Sequence, residues 1–234
     1  MASIQLTPDA TVLLELGALR LNATIVNTWV VMALLVGVSW LVTRKLRPDT
    51  PPGRWRNALE TLVLLIEAQI RAITHSAVRR VMYFAGTLFL FIAGANLLAL
   101  IPGFAAPTGS LSTTVALTLA VLLAVPGFAM AERGWGGYLR HLTQPTWVLL
   151  PFNILGELSR GVSLSIRLYG NVMSGAVIAA ILLSIAPFFF PVVMQLFGVL
   201  VGLIQAYIFA ILAAVYISSA LSETQPPTDP EDTA

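Results

Sequence analysis

No cysteine occurs in these 234 residues, which removes disulfides, thiolate metal sites and cysteine nucleophiles together. Histidine is nearly as scarce: His75 and His141 are the only two, so neither a histidine-rich metal site nor any cofactor is expected. Charge is also thin. Asp, Glu, Lys and Arg make up 10% of the chain, against about 25% in an ordinary soluble domain. What fills the space is apolar: 57% of residues are hydrophobic and the mean hydropathy is +0.86. A chain this apolar cannot clothe itself in water-compatible surface, so the bilayer is much of its solvent. The small net charge of +2 sits in particular loops, a pattern of membrane orientation and not of nucleic-acid binding. No phosphate loop, HExxH motif or intramembrane His/Asp cluster is present, which argues against a membrane enzyme.

The apolar runs predict an all-α integral membrane protein with five transmembrane helices and one amphipathic surface helix. The first span covers 25–42 and stops at Thr43-Arg44-Lys45. The loop RKLRPDTPPGRWR after it holds five basic residues and helix-breaking prolines, placing it in the cytoplasm and the N-terminus outside. The start of the chain lacks the basic opening of a secretory signal. Residues 57–76 put Glu60, Glu67, Arg71 and His75 on one face, with Glu67 and Arg71 paired at i,i+4, and read as an amphipathic helix at the membrane surface. Further spans follow at 82–101 and 113–130, separated by an uncharged loop. The second ends in the basic, glycine-rich AERGWGGYLRHLTQP.

The C-terminal half differs. Residues 146–186 are mostly apolar without a strong stop, about twice the ~20 residues a span needs. One long tilted helix accommodates that length. Residues 192–221 repeat the pattern, giving a long helical hairpin, and the acidic, proline-rich tail 222–234 is expected to be disordered in the cytoplasm.

Arg160, Ser163, Arg167, Asn171 and Ser174 follow each other at steps of 3, 4, 4 and 3, which is one helical face. Arginine at a bilayer centre costs about 2.5–3.5 kcal/mol on insertion scales, so such a charge marks function. Arg160 lies nearer the headgroups, whereas Arg167 is far from both ends of its helix. Glu157, ten residues before Arg167 and about 80° off its face, suits Arg160 better. Gln195, Gly198, Gly202 and Gln205 form a second stripe on the last helix. Its glycines suit close helix packing, and Gln205 offers an amide to a guanidinium or to water. An arginine does not release its proton, so Arg167 is a fixed cation awaiting a carboxylate from elsewhere. At ~4 Å and an effective dielectric near 20, that attraction is about 4 kcal/mol.

ELSRGVSLSIRLYGNVMSG and GLIQAYIFAILAAVYISSAL resemble the signature of subunit a of F-type rotary ATP synthases, and PGFAAPTGSLSTTVALTLAV is similar to that family's third-to-fourth helix connection. The resemblance spans nearly the whole chain. It implies a non-catalytic stator subunit in the membrane sector, multi-pass in the bacterial inner membrane, with the C-terminus cytoplasmic. Its partners would be the c-subunit ring, b-type peripheral stalk subunits, other ATP synthase subunits and lipid. Arg167 would face the ring carboxylate, flanked by Asn171 and Gln205, with Ser163 on the same lining. Two half-channels would carry protons or sodium ions to and from the ring on opposite sides of Arg167. Many bacterial members carry Glu where Ala176 stands, and some carry His or Glu where Gly198 stands. This loss and LNATIVNTWVVMALLV are similar to the N-type bacterial branch, some of which moves sodium. Glu157 either serves the other half-channel or pairs with Arg160 at i,i+3. The competing class is a self-contained secondary ion transporter, whose usual paired repeats and interrupted spans are not visible in the sequence.

Overall fold

The structure, a computed structural model, describes residues 12–16, 19–44, 54–74, 77–101, 104–142, 150–185 and 190–222. The first element was not foreseen from the sequence. Strands β1 (Val12–Leu16) and β2 (Leu19–Asn22) form an antiparallel hairpin whose register sets Glu15 opposite Arg20. Everything else of length is helical: α1 (Ala23–Thr43), α2 (Arg54–Ile73), α3 (Val78–Leu98), α4 (Leu111–Leu142), α5 (Leu150–Ile185) and α6 (Phe190–Ser222), with a short 3-10 turn at Pro107–Gly109. Stretches in α1, α3, α4, α5 and α6 are long and apolar enough to cross a membrane. The chain is an all-α multi-pass membrane protein.

Several helix bounds differ from the hydropathy reading. α3 starts four residues before the expected 82, because Arg79 and Arg80 are long enough to reach an interface from a helix whose backbone continues past them. Arg80 forms an ion pair with Glu132 of α4, tying the first turn of α3 to the far end of the next span. α4 runs twelve residues past the expected 130. It bends at Gly134, whose φ of 72° suits a residue without a Cβ. α5 is one unbroken helix of 36 residues, and its apolar stretch Ile154–Ser184 is about 46 Å long at ~1.5 Å per residue. That exceeds the ~30 Å of hydrocarbon, so the helix tilts. Residues 143–149, where the long helix was expected to begin, and the tail 223–234 lie outside the described residues, as does His75.

The core explains the order of elements. Leu88 and Ile92 of α3, Val121 of α4, Leu164 and Leu168 of α5, and Ala206, Phe209 and Ala213 of α6 form one buried cluster. A second cluster joins Ile70 of α2 to Val81 and Ala85 of α3 and to Ala214, Ile217 and Leu221 of α6. α2 is therefore docked as well as amphipathic: Tyr207 donates to Gln69 Oε1 at 2.9 Å and Ser218 donates to the Ile73 carbonyl at 3.1 Å. Its Glu67–Arg71 pair is formed, at 2.6 Å. α1 is peripheral, held through Val31, through Leu35 against Gly94, and by Asn27 donating to the Ala105 carbonyl at 2.9 Å. Trp29, Val36 and Trp40 on α1 and Leu123 on α4 are more than half exposed, the surface of a protein solvated by lipid.

Candidate functional site

Two cavities flank the midpoint of the α5–α6 hairpin. The smaller, about 20 Å³, is lined by Glu157, Arg160, Gly161 and Leu164 of α5, by Thr118 and three apolar residues of α4, and by Tyr216 of α6. The larger, about 550 Å³, takes Asn171, Ser174, Ala176 and other α5 residues through Leu183, and the α6 stretch between Met194 and Gly202. Asn96 of α3, Ala99 just past its end and the loop around the 3-10 turn complete it. On α5 the two linings stop at Leu164 and resume at Asn171. On α6 they stop at Gly202 and resume at Tyr216.

Arg167 and Gln205 both fall inside that interval. So do Leu168, Ala206, Phe209 and Ala213, which are buried against one another and against Leu164. This packed apolar layer separates the cavities, because close-packed side chains leave no continuous path for water. Arg167 sits seventeen residues after Leu150 and eighteen before Ile185, roughly 25 Å from either helix end at ~1.5 Å per residue. Its side chain is exposed and makes no hydrogen bond or ion pair among the described residues. Its neighbours one turn before and after on that face are Ser163 and Asn171, so a fixed cation stands on a narrow polar stripe of an otherwise apolar helix. Ser163 is exposed on the same face and lines neither cavity.

Glu157 is partly buried in the small cavity and forms no ion pair within 4.0 Å among the described residues. The salt bridge to Arg160 that the i,i+3 spacing allowed is absent. Arg160 instead lies over the Tyr216 ring, its guanidinium carbon 5.4 Å from the centroid, a favourable cation–π placement. Asn171 is half-buried at the edge of the large cavity. Gln205 is 5% exposed and its Nε2 has no partner among the described residues, an unusual state for a buried amide.

The two glycines of the α6 stripe have different roles. A Cβ on Gly202 would stand 2.6 Å from Asn96 Cγ; the glycine lets α3 close on α6, where Asn96 Nδ2 reaches the Ile92 carbonyl at 2.8 Å and the Gly202 carbonyl at 3.4 Å. Among the described residues, Gly198 has nothing within 4 Å of a Cβ, and it opens into the large cavity. The packing role suggested for both holds for Gly202 alone. Gln195, next on the stripe, donates to the Ala99 carbonyl at 2.8 Å. Ala176 and Gly198 both line the large cavity, whose described lining residues include no Asp, Glu, His, Lys or Arg.

Asn96, Thr118 and Tyr216 escaped the sequence reading. Each is a lone polar or amphipathic residue in an apolar span, outside the two periodic stripes. Their one available signal was isolation within runs such as GANLLAL and VALTLAV.

An arginine at the middle of a long apolar hairpin, unpaired among the described residues, places the chain in the class of multi-pass membrane proteins with a charge at mid-bilayer. The chain belongs to the ATP synthase A chain family, whose pattern it matches over residues 25–218. It is 53% identical over 217 residues to ATP synthase subunit a 2 of Acaryochloris marina, covering 93% of each chain. With ATP synthase subunit a of Albidiferax ferrireducens it shares 49% over 227 residues, 97% of this chain and 98% of that one. With ATP synthase subunit a 1 of Chlorobaculum parvum it shares 51% over 217 residues, 93% and 96% respectively.

Proposed function

We propose that this chain is the non-catalytic, ion-translocating stator subunit of an F-type ATP synthase in a bacterial inner membrane, working against a ring of c subunits. The observation that carries this reading is the unpaired cation of Arg167, set at the level of an apolar layer between two separate cavities. The cavities are the inner ends of two half-channels, the small one on the cytoplasmic side and the large one on the outer side. The orientation follows the basic stretches that come after the first and third apolar spans, RKLRPDTPPGRWR and AERGWGGYLRHLTQP. Their basic residues put the N-terminus outside and the C-terminus in the cytoplasm, with α2 along the inner membrane surface.

A ring carboxylate carrying its ion has no net charge and can cross lipid. Opposite Arg167 it is drawn into the ionised form by about 4 kcal/mol at ~4 Å and an effective dielectric near 20, so it arrives there empty. It releases its ion into one half-channel before the arginine and reloads from the other beyond it. The apolar layer blocks direct leakage, and each charge crossing 100 mV makes available about 2.3 kcal/mol for rotation. Asn171 lies at the inner end of the outer path and Gln205 supplies an amide donor to the intervening layer. Ser163 shares the ring-facing surface with Arg167, and Glu157 is the acid of the cytoplasmic path. The outer path, with no ionisable side chain among its described lining residues, delivers ions through water. That arrangement serves hydrated sodium as readily as protons. The b-type stalk subunits would hold the stator still while the ring turns.

Replacing Arg167 with Ala in the assembled complex tests the reading. Ion-coupled ATP synthesis and ATP-driven ion uptake should disappear while the subunit remains in the membrane at parental levels. Retention of coupling would refute it.

A further inference from the structure

The small cavity holds an unexplained hydroxyl. Thr28, Thr43, Thr87 and Thr114 each donate to a carbonyl three or four residues back in their own helices, at 2.6–3.3 Å, the usual way a threonine is satisfied in an apolar helix. Thr118 does not, although it lies one turn from Thr114 on α4. It is 4% exposed, and its Oγ1 is buried without a partner among the described residues. Its methyl group, Cγ2, together with Leu122 Cδ1, would meet a Cβ on Gly161 at 3.3 Å.

Thr118 lines the same cavity as Glu157, Arg160 and Tyr216. The cavity volume of about 20 Å³ is close to what one water requires, ~10–15 Å³ at a 1.4 Å radius, and a buried water needs two to four polar partners. The hydroxyl of Thr118, the carboxyl of Glu157 and the guanidinium of Arg160 supply that number from two helices. Arg160 is occupied on one side by the Tyr216 ring and leaves Glu157 without an ion pair, so the carboxyl is free to bond to water.

We propose that the α4–α5–α6 cavity binds one ordered water bridging the Thr118 hydroxyl to the Glu157 carboxyl, and that Thr118 is thereby a positioning residue for ion handover at Glu157. The transport part rests on the reading of Glu157 as the acid of the cytoplasmic half-channel; the water site does not. No bond is made or broken beyond exchange of a proton between the water and the carboxyl.

The test uses the intact complex in inverted membrane vesicles, with Thr118→Val, Thr118→Ser, Glu157→Gln and the Glu157→Gln/Thr118→Val double variant. ATP-driven ion uptake should fall several-fold in Thr118→Val and stay near parental in Thr118→Ser. The double variant should be no slower than Glu157→Gln alone. A cryo-EM map that resolves waters should show density within 2.5–3.0 Å of Thr118 Oγ1 in the parent. Parental uptake in Thr118→Val, or losses that multiply in the double variant, would overturn the positioning role. A resolved map with no density there, or with the shorter contacts of a bound metal ion, would overturn the water site even if Thr118→Val failed to assemble. Normal uptake in Glu157→Gln would instead remove Glu157 from the ion path and leave the map to decide the water.

Discussion

The two cavities beside Arg167 share the α5–α6 hairpin as one wall and differ in almost every other respect. The one at the N-terminal half of α5 has room for about one water and carries a carboxyl, a guanidinium and a phenol ring. The one at the C-terminal half is more than twentyfold larger, and among its described lining residues the polar groups are neutral: amides and hydroxyls. In the proposed function a narrow half-channel has to pass its ion between side chains, whereas a wide one lets water do so and needs no titratable group at positions such as Ala176 and Gly198. Between them the hairpin closes on leucine, alanine and phenylalanine, so the difference is maintained across a few helical turns.

The largest expected effect breaks both sides at once: Arg167→Ala should eliminate coupled ion transport, read as ATP-driven uptake in inverted vesicles with subunit levels checked by immunoblot. Glu157→Gln should affect the small cavity alone. It should slow uptake several-fold while leaving the subunit in the membrane, and a matched Asn171→Ala should produce a smaller loss, because water in the wider path replaces one amide.

The third prediction contrasts two glycines four residues apart. Gly202→Ala forces a Cβ into Asn96, 2.6 Å away, and overpacking of that kind costs about 1–3 kcal/mol. The complex should lose thermal stability and subunit a should be recovered in lower amounts. Gly198→Ala meets nothing within 4 Å and gains up to ~1 kcal/mol of helix propensity, so stability should be unchanged or slightly raised. Equal destabilisation by both would erase the distinction between a packing glycine and a cavity glycine.

The polar stripe of α5 was legible in the sequence because it is periodic. Arg160, Ser163, Arg167, Asn171 and Ser174 repeat at helical spacing on a single helix, and a charge in an apolar span is visible without coordinates. The Glu67–Arg71 pair was legible for the same reason. What depends on two helices meeting was not. Nothing in the local pattern says that Gly202 touches Asn96 while Gly198 lines the large cavity, or that Arg160 lies over the Tyr216 ring and not against Glu157. Thr118 looked like any threonine in an apolar helix until its hydroxyl was found without its neighbour's carbonyl bond. The hairpin of Val12–Leu16 and Leu19–Asn22 was missed because Leu-Glu-Leu and Leu-Arg-Leu alternate over too few residues to stand out as strands.

The separation of the two paths can be measured directly, since a chain without cysteine accepts a single thiol as a unique label. Ser174→Cys would report on the large cavity and Glu157→Cys on the small one, each treated with a membrane-impermeant thiol reagent from one face at a time in intact and inverted vesicles. Cys at 174 should react from the outer face alone and Cys at 157 from the cytoplasmic face alone. Labelling of both from the same face, or of either from both faces, would contradict a pair of half-channels divided at Arg167.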